Sequence, residues 1–153
     1  MKDKTPQIIA IDGSGVDSYY QSSYHQKRLS NFGVKKQNSS WHKFDIIIDV
    51  KSKLILDFSF LLHNRHDSKV AWQLFNRFKL KNVLILADKG YYWFKLHRLI
   101  KQKRGILVVP PKNYGKNCLH NRIVRREFHN SYYEYEEFYT LRNNVESVFS
   151  SLK

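Results

Sequence analysis

The sequence predicts an α/β protein built on a mixed sheet. Two continuous apolar runs each end on an aspartate, two strand-like runs are joined by a short turn, and the segments between the later strands carry helical periodicity. At 153 residues and 42% hydrophobic content, the chain is long enough for a sizeable core and short enough to read as one domain over 1–153.

The first run, Gln7 to Asp12, is apolar and β-branched and is stopped by Gly13-Ser14-Gly15, which predicts a buried strand ending on the Asp12 carboxylate. Asp17 to Ser40 is polar, without period, and reads as a loop or excursion. Trp41 to Val50 and Leu54 to Leu62 alternate as strands around Lys51-Ser52-Lys53, an antiparallel hairpin. Asp67 or Ser68 is the expected N-cap of a helix through Phe78, with Val70, Leu74, Phe75 and Phe78 at helical spacing. Val83 to Ala87 has no polar alternation and predicts a central strand covered on both faces, ending on Asp88. A helix over Tyr91 to Lys103 and a strand over Ile106 to Val109, closed by Pro110-Pro111, follow. Lys112 to Asn121 is a basic loop, and Glu136 to Lys153, free of Gly and Pro, predicts one last helix. The order β-β-β-α-β-α-β-α matches a ribonuclease-H-like mixed sheet.

Charge points to a polyanionic partner, because 27 Lys and Arg against 13 Asp and Glu leave a net charge of +14. The excess is densest from Lys95 to Arg126, where ten basic residues come without an acid among them, a candidate phosphate-facing surface or a merely solvated one. No run of about 18 apolar residues and no signal-peptide core is present, so a soluble, cytoplasmic protein without a membrane partner is expected. The single cysteine, Cys118, excludes an internal disulfide and a cysteine-rich zinc motif.

Two-metal phosphoryl transfer needs hard oxygen ligands converging on a small volume. Asp12 and Asp88 would bring two carboxylates to one sheet edge if their strands are neighbours, although an Asp after an apolar strand is often only a cap. The last helix adds Tyr139, Arg142, Glu146 and Lys153 at Y-x2-R-x3-E-x6-K spacing. On one continuous helix these fall within an arc of roughly 60°, beside an apolar arc of about 100° holding Phe138, Leu141, Val145, Val148, Phe149 and Leu152. Glu146 can then join the two aspartates, while Arg142 and Lys153 reach phosphates. The plain alternative is an amphipathic helix with Arg142 and Glu146 as a surface i, i+4 pair.

With that signature, with I-D-G-S-G at Ile11 to Gly15, H-D-S-K at His66 to Lys69 and A-D-K-G-Y-Y at Ala87 to Tyr92, the sequence resembles the DDE-type insertion-sequence transposases. The resemblance spans nearly the whole chain. It implies that Asp12, Asp88 and Glu146 are the catalytic, metal-binding triad for two Mg²⁺ ions, with Mn²⁺ as a substitute, and that Tyr139, Arg142 and Lys153 contact the transposon end. It implies a DNA transposase that cuts transposon ends and joins the freed 3′-hydroxyl to target DNA by in-line displacement. Lys89 and Trp93, on and beside the A-D-K-G-Y-Y turn, are further candidates for DNA contact, Trp93 by stacking on an unpaired base or else as core. Relatives of this kind are prokaryotic, act as paired complexes and carry an N-terminal end-binding region, so a homodimer on DNA and truncation at both ends are expected. The competing readings are an inactive, nucleic-acid-binding remnant and another ribonuclease-H-like nuclease.

Overall fold

The computed structural model describes residues 7–17, 41–62, 65–112 and 122–152. Its central strand is β1 (Gln7–Asp17), which pairs antiparallel with β2 (Trp41–Asp49) from Ile9 to Asp17. On its other side β1 pairs parallel with β4 (Val83–Leu86), but only from Gln7 to Ala10. β3 (Ile55–Leu61) lies antiparallel outside β2, and β5 (Ile106–Val108) parallel outside β4. The order β3-β2-β1-β4-β5 is a five-stranded mixed sheet, consistent with a ribonuclease-H-like domain. The hairpin turn between β2 and β3 closes because Lys53 adopts a left-handed conformation (φ 59°) and the Asp49 carboxylate accepts from the Ser52 N–H (2.8 Å) and hydroxyl (2.7 Å).

Two cores form because helices cover both faces of the sheet. On one face, α1 (Asp67–Arg77) and α2 (Phe94–Gln102) bury Val70, Ala71, Leu74, Phe75, Leu96 and Ile100 against Ile9, Ile11, Ile47 and Ile85. On the other, α5 (Asn143–Leu152) buries Val145 and Phe149 against Ala10, Ile46, Ile48, Leu84, Leu86 and Val108. α3 (Arg122–Glu134) packs beside β5 and serves both faces: Phe128 stacks on Tyr92 (4.2 Å) in the first core, while Tyr132 and Tyr135 meet the second. Arg77 ties α1 to the edge strand through two bonds to Asp57 (2.7 and 2.9 Å). All four β4 residues are buried, as a strand covered on both sides requires.

Several expectations change. β1 does not stop at Asp12 but runs on to Asp17 through the glycines, because β2 supplies ladder partners as far as Trp41. α1 starts at Asp67 with His66 as its N-cap and no side-chain cap bond, so neither Asp67 nor Ser68 caps it. Tyr91 is not in α2 but ends a 3₁₀ turn, Lys89–Tyr91, and Trp93 precedes the helix. The predicted last helix is divided into α4 (Glu136–Tyr139), a 3₁₀ turn (Thr140–Arg142) and α5. The backbone stays right-handed through this break, at −64°, −31° for Tyr139, −60°, −28° for Thr140 and −60°, −16° for Asn143. Tighter winding replaces the ideal helix without reversing the chain. The excursion after Asp17, the basic loop over 113–121 with Cys118, and Lys153 lie outside the described residues.

β3 is an edge strand whose alternate residues Phe58 and Phe60 remain more than half exposed, flanked by Leu54 and Leu62. Phe44 of β2 links this row to Phe149 of α5, its ring lying 5.8 Å from Phe58 and 6.1 Å from Phe149.

Phe75 is fully buried between α1 and the sheet. Phe75→Ala is expected to destabilise the fold by about 3–5 kcal/mol, measured by urea unfolding, because the cavity collapses only partly.

Candidate active site

Asp12 lies in β1 opposite Ile46 of β2, two residues beyond Ala10, where the pairing with β4 ends. β4 stops at Leu86 and Asp88 follows two residues later. Both acids therefore stand where β1 and β4 part, a cleft opened by strands of unequal length. Alternation along β1 sends Ile11 to the α1 side, and Asp12 to the α5 side. There Arg142 meets it, Nη1 standing 3.6 Å from Asp12 Oδ2, while Nη2 bonds Glu146 Oε1 at 2.9 Å.

One guanidinium thus bridges two of the three predicted triad acids. The third is close enough to be felt: the Asp12 carboxyl is held above its usual range, first by burial, with the Asp88 and Glu146 charges adding to it. The Gly13 N–H (2.9 Å to Asp12 Oδ1) and Arg142 pull the other way. Tyr139 belongs to the same neighbourhood, its hydroxyl raised by burial and by Asp88 and Asp12 while Arg142 opposes. Asp88 caps the 3₁₀ turn, accepting from the Gly90 N–H at 2.7 Å. The donors are carboxylate oxygens, the type that Mg²⁺ or Mn²⁺ prefers, and two of them compete for a single cation. Among the described residues no three His, Cys, Asp or Glu side chains stand close enough together to form a ready-made metal cage.

The family model of the transposase DDE domain matches residues 3–153, essentially the full chain. The chain belongs to the DDE transposase family. Membership implies DNA transposition by nuclease and transferase chemistry, with DNA as partner and divalent metal as the usual cofactor. No curated protein and no solved structure matches the chain significantly. Among the described residues no helix is long and apolar enough to cross a membrane.

The other predicted contact residues of the transposase divide. Lys89 is exposed on the turn that Asp88 caps. Trp93 is half-buried and packs on the first core, with the Lys95 ammonium 5.9 Å from its ring centre. Lys153, the last residue of the signature, lies outside the described residues. The basic stretch is less uniform than its sequence suggested. Lys103 donates to the carbonyls of Asn76 and Phe78 and so is structural, Lys101 is exposed but pairs with Glu127 at 2.5 Å, and Lys95, Arg98 and Arg126 are exposed.

Sequence reasoning missed a second charged group beneath the cleft. Asp45 of β2 lies opposite Gly13 and is fully buried, and Lys43 two residues earlier points to the same side. Lys43 Nζ donates to the Arg65 carbonyl (2.8 Å), bonds Asp67 Oδ1, and stands 3.3 Å from Asp45 Oδ1. Gly13 is required here, because a Cβ at that position would lie 2.5 Å from Asp45 Oδ1 and 3.2 Å from Lys43 Cε. The available signal was Lys43 and Asp45 at i, i+2 just before the apolar run Ile46-Ile47-Ile48, which an outward-facing pair would also give.

Gly13→Ala is expected to lower stability by about 1–3 kcal/mol in denaturant unfolding, since the buried Asp45 carboxylate and the Lys43 side chain paired with it must move to admit the methyl. Burial pushes the Asp45 carboxyl up to about 6 against the pull of Lys43. Between its ordinary value of 3.8 and about 6 the folded state binds more protons at this site than the unfolded chain, so this contribution to stability falls as pH rises through that window and is constant above it. Unfolding measured from pH 4 to pH 7 should show a component on the order of 1–3 kcal/mol that Asp45→Asn removes.

Proposed function

We propose that the chain is the catalytic domain of a DNA transposase working by two-metal phosphoryl transfer, with Asp12, Asp88 and Glu146 as its metal-binding carboxylates. The observation that carries the reading is the Arg142 bridge from Asp12 of β1 to Glu146 of α5, with the charge of Asp88, just past the end of β4, acting on Asp12. Bound Mg²⁺ or Mn²⁺ would supply Lewis-acid activation of water, and then of a 3′-hydroxyl, for in-line displacement at phosphorus. The protein's own part is to hold the carboxylates aimed. β1 and the capped 3₁₀ turn fix the two aspartates on backbone hydrogen bonded at both sites.

Arg142 has a second use in this reading. Its forked donors answer two carboxylates here and match a phosphate equally well, so it sits where a DNA backbone crossing the cleft would be held. Tyr139, one turn before it, and Lys153, at the end of the signature, extend the contact to the transposon end, and the exposed Lys89, with Trp93 beside it, is placed to meet DNA next to Asp88. Joining of the cut end to target DNA, pairing of two protomers on DNA and an N-terminal end-binding region belong to the same proposal and rest on family membership.

The chain, supplied with an end-binding domain where needed, is expected to nick DNA in Mg²⁺ or Mn²⁺. Asp12→Asn, Asp88→Asn and Glu146→Gln should each reduce nicking to background while DNA binding, followed by gel shift, is retained. Undiminished cleavage by any one of these variants removes that residue from the triad. Metal-independent binding with no nicking by the unsubstituted protein would leave a binding-only protein instead.

A further inference from the structure

The buried charges beneath the cleft connect to the metal-binding turn. Lys43 ties β2 to the start of α1 through the Arg65 carbonyl and Asp67. The other oxygen of Asp67 faces Gly90: a Cβ there would lie 2.8 Å from Asp67 Oδ2 and 2.9 Å from Asp88 Oδ1. Both carboxylates therefore crowd the same bare glycine, and the Lys43 ammonium stands against Asp67. Asp45, fully buried with no hydrogen-bond partner for its Oδ2 among the described residues, adds a second negative charge on the same lysine. Tyr91, which ends the Asp88 turn, is also fully buried, and Asp45, Asp67 and Asp88 all act on its hydroxyl.

We propose that Lys43 is a positioning residue of the transposase: by holding Asp67 and neutralising it, Lys43 lets the Asp88–Gly90 turn pack close to that carboxylate and keeps Asp88 facing Asp12. The proposal rests on the reading of Asp88 as a metal-binding carboxylate. Without the ammonium, the buried Asp45 and the partly exposed Asp67 are left uncompensated, and Asp67 repels Asp88 across Gly90. Two effects of losing Lys43 then have opposite signs. Removing a positive charge near the cleft would by itself tighten binding of a cation, whereas displacing Asp88 weakens it. The direction of the change separates a positioning role from a field effect.

The test is calorimetric titration of Mn²⁺ into the full chain without DNA, for the unsubstituted protein, Lys43→Met, Lys43→Gln, Lys43→Arg, Asp67→Asn and Asp88→Asn, with urea unfolding of each. Lys43→Met is expected to weaken Mn²⁺ binding about tenfold or more, the range typical of residues that orient metal ligands. Nicking by Lys43→Met should recover as Mn²⁺ is raised, and Lys43→Arg, which keeps the charge, should bind nearly as the unsubstituted protein does. If Lys43→Met does not fold, Lys43→Gln carries the test, because it removes the charge while keeping a hydrogen-bond donor, and Asp67→Asn, which removes the repulsion itself, should bind Mn²⁺ nearly as the unsubstituted protein does. Unchanged or tighter Mn²⁺ binding by the folded Lys43→Met or Lys43→Gln variant, with Asp88→Asn defective, overturns the positioning role and leaves the triad standing, even where the urea midpoint falls. Unchanged binding by Asp88→Asn overturns the triad assignment, and the present inference with it.

Discussion

The unequal pairing of β1 governs the rest of the structure. One side of the strand is hydrogen bonded to β2 for nine residues and the other to β4 for only four, so the sheet must open beyond Ala10. That opening is where a polar side chain can leave the sheet without entering a core. Asp12 takes it from the strand that continues, and Asp88 from the chain that leaves the strand that stops. Had β4 continued as far as β1, Asp12 would face a packed neighbour and a buried carboxylate would need a full set of donors. The two hydrophobic faces also depend on this strand, since Ile9 and Ile11 hold one core and Ala10 the other.

Around that opening the charges form two tiers. The upper tier, on the α5 side, is Asp12 and Glu146 answered by Arg142, with Asp88 close enough for its charge to act on Asp12. The lower tier, on the α1 side, is two acids answered by Lys43. Each tier has more carboxylates than cations, against a chain whose overall charge is strongly positive. An acidic cleft in a basic protein suits a chemistry that draws divalent cations into one spot and a polyanion over the surrounding surface. Gly13 and Gly90 separate the tiers at the two places where a side chain would collide with a carboxylate.

Much of this was legible in the sequence. The continuous apolar run of β4 and the hairpin of β2 and β3 follow from composition and periodicity alone, the nearness of Arg142 to Glu146 follows from their i, i+4 spacing, and that of Asp12 was expected only from the family resemblance. Other features were not. The end of β1 could not be read from Gly13-Ser14-Gly15, because glycine that usually interrupts a strand is here what lets Asp45 fit against it. The division of the last helix leaves no mark either, since Glu136 to Lys153 contains no residue that breaks a helix, and the change to 3₁₀ winding arises where Phe138 and Tyr139 turn the chain onto the second core. The right-handed 3₁₀ turn still leaves Arg142 beside Glu146, although the single helix on which the four-residue arc was drawn is divided. Lys43 and Asp45 were hidden for a different reason: alternating charges on a strand look the same whether they face water or a buried partner.

The outward row on β3 bears on how this protein behaves in a tube. An edge strand offers unpaired backbone groups, and here Phe58 and Phe60 add an oily flank to it where Lys or Pro would discourage contact. Such an edge promotes sticking between molecules as concentration rises, while the net charge of +14 resists it at low salt. Salt strong enough to screen that repulsion, or polyanions that neutralise it, will therefore favour precipitation, and solubility rather than folding will set the working range of ionic strength for this protein.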